Sequence, residues 1–113
     1  MHVAPLTPAV FHILLALVEG DRYGYAIQQD VRRHSDGRVR MGPGTLYGTI
    51  QRLLELGWIE ESRGSVHRTR DERRRYYRLT RQGRQALDGE VTRMDELVRT
   101  ARARGAAPGQ ARS

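Results

Sequence analysis

The spacing of apolar side chains changes period twice along this chain, and that change limits the possible folds more than any other feature. Up to Leu54 the apolar residues recur every three or four positions, which places them on one face of a helix. From Trp58 to Leu79 two short runs flank a polar, arginine-rich stretch, as the arms of a hairpin would. After Thr80 the helical spacing returns. A chain of 113 residues with this pattern is one small domain plus at most one appended element.

The punctuation residues set the element limits. Thr7 and Pro8 suit the cap and first position of a helix whose stripe is Val10, Ile13, Leu14, Leu17 and Val18, with Gly20 as its stop. Asp21 is the expected cap of a second helix running to about Arg33, with Tyr23, Ala26, Ile27 and Val31 inward. Residues 34–44 read as a connection with a turn at Asp36-Gly37 and a short strand at Val39-Arg40-Met41. Pro43 opens a third helix with Leu46, Ile50, Leu53 and Leu54 buried, and Gly57 ends it. Residues 58–61 and 74–79 are expected strands, with Tyr77 and Leu79 on one face. Thr80 is expected to cap a fourth helix. From Gly105 the composition is that of a disordered tail.

Composition removes several function classes. There is no cysteine, which excludes disulfides, thiolate metal sites and cysteine nucleophiles. The four histidines are scattered without ligand spacing, so no metal site and no cofactor are expected. No nucleophile–base or phosphate-loop pattern occurs, and no enzymatic activity is expected. The longest apolar run, Ile13 to Val18, is far shorter than the ~20 residues a membrane helix needs, so a cytoplasmic protein without membrane contact is expected.

The net charge is +7, and every basic side chain other than histidine is arginine. Residues 1–62 are slightly acidic, at −1, while residues 63–78 alone carry +5 and residues 79–113 carry +3. Arginine usage by itself also follows from genome composition. Its concentration in one hairpin suits docking on a polyanion.

Three constellations carry functional expectations. Helices two and three have a helix-turn-helix layout, whose second member would enter the major groove of double-stranded DNA. Its buried stripe leaves Thr45, Gly48, Thr49, Gln51 and Arg52 outward and Tyr47 at the border. Gly44 permits close backbone approach, and Gln51 and Arg52 can bond adenine and guanine edges. An ordinary surface helix would show the same polar face. The second constellation is the hairpin, where Arg63, Arg68, Arg70, Arg73, Arg74 and Arg75 cluster with His67. Such a wing can hold phosphates, each contact releasing counterions. Asp71 and Glu72 could pair some of these arginines in a merely solvated loop, although exposed pairs contribute only about 0–1 kcal/mol. Tyr25 can offer a hydroxyl to a phosphate, and a solvated surface role suits it equally well. The third is a heptad seam on the last helix, Leu87, Val91, Met94, Val98 and Ala101. It can pack within the chain or on a second copy, and a homodimer is the expectation.

The chain resembles the short PadR-like transcriptional regulators. The resemblance is carried by residues 6–10 (LTPAV), 23–27 (YGYAI), 42–47 (GPGTLY), Arg52-Leu53, residues 57–60 (GWIE) and 75–80 (RYYRLT), with Gly83 beyond them. It implies a mainly α fold with a small β-hairpin, a winged helix-turn-helix followed by a C-terminal dimerisation helix. The implied division is a DNA-binding domain over 1–79, a dimerisation helix over 80–104 and a disordered tail over 105–113. By this likeness Thr45, Tyr47, Gln51 and Arg52 occupy base-reading positions. Arg68, Arg70, Arg73, Arg74 and Arg75 match the wing that meets the DNA backbone, where the residue chemistry above also puts Tyr25 and Gly44. Leu87, Val91, Met94, Val98 and Ala101 supply dimer contacts. A homodimeric repressor on a palindromic operator is implied, with a small hydrophobic effector in some members. The last helix has no aromatic residue after Tyr77, a departure from members with a stacked-aromatic pocket. The competing reading is a winged-helix protein-interaction module without DNA binding.

Overall fold

A computed structural model describes residues 5–62 and 75–106. The order is α1 (Pro8–Ala16), β1 (Arg22–Tyr23), α2 (Gly24–His34), α3 (Pro43–Leu56), β2 (Ile59–Glu61), β3 (Tyr76–Leu79) and α4 (Arg81–Ala103). Three helix ends, at Thr7, Gly57 and Thr80, follow the expected capping chemistry. Thr7 Oγ1 accepts from the Val10 amide, with Pro8 in the first turn. Gly57 at the end of α3 adopts φ 77°, where a side chain would be strained. There the Trp58 and Gly57 amides donate to the Leu53 and Leu54 carbonyls, closing the helix with two bonds. Thr80 Oγ1 accepts from the Gly83 amide and donates to the Gly57 carbonyl, fixing the start of α4 against the end of α3.

Four local expectations are corrected. Tyr23, expected inward on helix two, is 37% exposed in β1. α1 stops at Ala16 rather than near Gly20, because the Leu17 and Val18 amides turn back to Leu14 and Leu15 in a tighter i to i−3 pattern. Asp21 does not cap α2. Tyr23 holds that position without a side-chain bond, and Asp21 accepts instead from the Ser62 hydroxyl across the sheet. Residues 39–41 form no strand. The Val39 amide donates to Ser35 Oγ at 3.0 Å and the Met41 carbonyl accepts from Gln28 Nε2 at 2.7 Å, so α2 and its turn take bonds a sheet would need. The third strand is β1, two residues that the helical spacing around them concealed.

The sheet is antiparallel in the order β1-β3-β2, pairing Arg22 with Tyr77, Ile59 with Leu79 and Glu61 with Tyr77. It covers one side of a core built from Ile13, Leu14 and Leu17 of the α1 region, Ile27 and Val31 of α2, and Leu46, Ile50 and Leu53 of α3. Ile59, Tyr77 and Leu87 complete it. Each large side chain buried here contributes about 1.5–3 kcal/mol relative to exposure. The fold is a winged helix-turn-helix with a long C-terminal helix. The first two turns of α4 belong to the same packing unit as the rest. At Gly83 a Cβ would overlap the Trp58 carbonyl oxygen, so only glycine allows this approach.

Candidate nucleic-acid interface

The expected recognition face is positioned by the stripe opposite it. Leu46, Ile50 and Leu53 anchor α3 in the core, which turns Gly44, Thr45, Gly48, Gln51 and Arg52 to solvent. The helix starts at Gly42 without a side-chain cap and has no acid in its first turn. Its free amides and positive dipole end are therefore open to an anion. Arg52 is exposed and pairs with no carboxylate among the described residues. The amide nitrogen of Gln51 reaches Glu55 at 3.4 Å, a weak bond that a stronger acceptor can replace. The Thr49 hydroxyl donates back to the Thr45 carbonyl at 2.7 Å, which holds it against its own helix.

Tyr47 stands at the border of this face, as the spacing puts it. It is half-buried, and its ring lies over the start of α2, where a Cβ on Gly24 would fall 2.6 Å from the hydroxyl and 2.8 Å from a ring carbon. Gly24 thus makes room for Tyr47, and the contact sets how closely α2 and α3 cross. Spacing along the chain does not mark the two as a pair, although residues 23–25 (YGY) place a glycine between exposed tyrosines. Tyr25 is 50% exposed beside the N-terminus of α2, which likewise has no side-chain cap and no acid in its first turn.

Arg63, Arg68, Arg70, Arg73 and Arg74, with His67, lie outside the described residues. The strands that carry their loop are in place, and the Ser62 amide donates to the Tyr76 carbonyl at 2.7 Å at its base. Arg75 is half-buried there. Arg78 is committed to Glu60 across the strands at 2.7 Å.

The seam on α4 is divided by burial. Leu87 is 2% exposed and belongs to this chain's own core, so it is not available at the surface as expected. Val91 and Val98 are 45% and 43% exposed, and Met94 and Ala101 are half-buried. Leu97, absent from the seam read from sequence, is 55% exposed and widens the apolar strip. Between the two parts Glu90 is buried and takes Arg93 through both guanidinium arms, at 3.0 and 2.8 Å. That bond, assisted by the charge of Arg93 and the Leu6 amide, holds the Glu90 carboxyl below its ordinary range despite burial.

Buried Asp30 pairs with Arg33 at 3.0 Å and with His34 at 3.2 Å. Nearby, His12 has a buried Nδ1 without a partner among the described residues. Burial, and then the proximity of His34, push its pKa below 6.5, against a smaller upward pull from Asp30. Among the described residues no group of histidine and acid side chains could hold a metal ion, and no helix is long and apolar enough to cross a membrane.

Residues 13–89 match the model of the transcriptional regulator PadR-like family. The chain is 37% identical over 89 residues to the transcriptional regulator Rv3488 of Mycobacterium tuberculosis, covering 78% of this chain and 77% of that one. A solved transcriptional regulator from Clostridium thermocellum superposes with a TM-score of 0.65 at 28% identity, over 87% of this chain and 89% of that one. A PadR family transcription regulator from Clostridium difficile shares the fold at 21% identity and a TM-score of 0.66, over 86% and 97% of the two chains. This chain therefore belongs to the PadR-like family of transcriptional regulators, and it is not an enzyme.

Proposed function

We propose that the chain is a homodimeric, sequence-specific repressor that acts in the cytoplasm on a palindromic operator in double-stranded DNA. The observation that carries the reading is the face of α3: an uncapped N-terminus, small residues at 44, 45 and 48, and Gln51 and Arg52 exposed beyond them. In this reading Thr45, Gln51 and Arg52 meet base edges, while Tyr47 holds α3 against α2 and touches DNA only at the border of the face. Tyr25, Gly44, Arg68, Arg70, Arg73, Arg74 and Arg75 meet phosphates, which supply salt-dependent affinity without sequence information. Val91, Met94, Leu97, Val98 and Ala101 bury one another across a twofold axis. A small hydrophobic effector would have to bind without aromatic stacking from α4.

Selection of bound duplexes from a random DNA library tests this directly. The expected product is an inverted repeat whose half-sites lie about one helical turn, roughly 34–36 Å, apart. Absence of enrichment overturns DNA recognition, and enrichment of a single unrepeated site overturns the dimer.

A further inference from the structure

Four of the six arginines in the otherwise slightly acidic first 62 residues fall between positions 32 and 40. The structure gathers two of them. A cavity of about 80 Å³ opens between α2 and the connection to α3, lined by Gln28, Val31, Arg32, Val39, Arg40 and Met41. A single water needs only ~10–15 Å³ of such space. Val31 and Met41 are buried, so the polar groups that reach solvent here are Gln28, Arg32 and Arg40.

Among the described residues nothing neutralises the two guanidinium groups. Arg40 donates through Nε to the Gly37 carbonyl at 3.3 Å, which steadies its stem, and its terminal nitrogens have no partner among the described residues. The Arg32 side chain makes no hydrogen bond or ion pair among them. Carboxylates are near in sequence but used otherwise or not at all. Asp30 takes Arg33 and His34, and exposed Asp36, at φ 58°, forms no ion pair with either arginine. Arg32 at the end of α2 also complements the helix dipole. Arg40 lies outside any helix and has no such role.

Two cations on one cavity repel, and an anion between them removes the repulsion. We propose that Arg32 and Arg40 form a phosphate-binding notch that grips the DNA backbone, a second clamp separate from the wing. The proposal rests on the DNA-binding reading above. Placement favours the polymer over a free anion. Arg40 stands two residues before Gly42, where α3 begins with open amides. Arg32 lies two turns beyond Tyr25, so Tyr25, Gln28 and Arg32 follow one line along α2. Both arginines are exposed, as a clamp on an extended polyanion requires.

The test measures binding of the wild-type protein, Arg32→Gln, Arg40→Gln and the double variant to the selected duplex and to a scrambled one, from about 50 to 200 mM salt. Each substitution is expected to weaken both duplexes by a similar factor, roughly three- to tenfold. It should also flatten the slope of log affinity against log salt by about 0.9 for each phosphate no longer neutralised. Arg40→Lys should keep most of that slope. Wild-type binding with unchanged slopes in the variants overturns the notch alone, whereas no wild-type binding to either duplex overturns the parent reading with it. A loss confined to the selected duplex overturns the phosphate assignment in favour of base contact. Inorganic phosphate titrated into the DNA-free protein, followed by NMR shifts of residues 28–41, is expected to bind only weakly. Saturation below about 1 mM, abolished in the double variant, would overturn the backbone as the source.

Discussion

Single atoms decide two properties of this fold. The space at Gly83 is closed by the Trp58 carbonyl, a backbone group that cannot swing aside. Gly83→Ala should therefore cost about 1–3 kcal/mol, the usual range for forced overpacking, read as a lower midpoint in urea unfolding. A variant as stable as the parent would mean that α4 leaves this position freely. His12 is the second case. Its folded-state pKa lies below the unfolded value of 6.5, so below that pH the unfolded chain binds more protons than the native one. Its contribution is complete above 6.5 and declines as the pH falls through the window beneath it. Thermal melting from about pH 7 down to about pH 5 should show a loss that is smaller in His12→Gln, with His34 and Asp30 intact. Parallel pH curves for the two proteins would remove His12 as the cause.

At the scale of elements, the crossing of α2 and α3 depends on a ring lying over a glycine. Gly24→Ala pushes a methyl group into the Tyr47 ring, and Tyr47→Leu removes that ring. The two changes should not add. A coupling of about 0.5–3 kcal/mol is expected in a double-mutant cycle by chemical unfolding, with the double variant more stable than the sum predicts. Strict additivity would show that the two side chains do not meet. Because α3 bears the proposed base-reading residues, Gly24→Ala should also weaken binding to the selected duplex, although residue 24 need not touch a base.

Over the whole molecule, α4 divides into two parts along its length. A helix of 23 residues is about 35 Å long. Its beginning is locked to the domain by Thr80, Gly83 and Leu87, while beyond Glu90 most residues are exposed and Met94 and Ala101 are half-buried. Three of the seven large hydrophobic side chains exposed among the described residues, Val91, Leu97 and Val98, lie on that outer part. A lone chain would leave this strip in water. Leu97→Glu with Val98→Glu should halve the mass seen by light scattering without lowering helix content, since neither side chain belongs to the core. A mass unchanged by both substitutions would place the dimer contact elsewhere or show that none exists.

The order of helices, the hairpin strands and most core positions are legible in the sequence, because apolar period and capping residues are local properties. The Thr7, Gly57 and Thr80 caps and Leu46, Ile50 and Leu53 of the α3 stripe stand where the spacing puts them, while Leu54 is only half-buried. The family is legible as well, through motifs that follow one another in a fixed order. Only the tertiary structure decided the rest. Two residues cannot announce β1 by alternation, since pairing with β3 is what makes them a strand. The border position of Tyr47 became a helix contact because a distant glycine leaves room for it. The seam divided at Glu90 because burial of Leu87 depends on neighbours far along the chain. A charge count over 62 residues averages away Arg32 and Arg40. Which arginines are neutralised depends on where carboxylates lie in space, and the apolar period, a property of neighbours along the chain, carries no information about that.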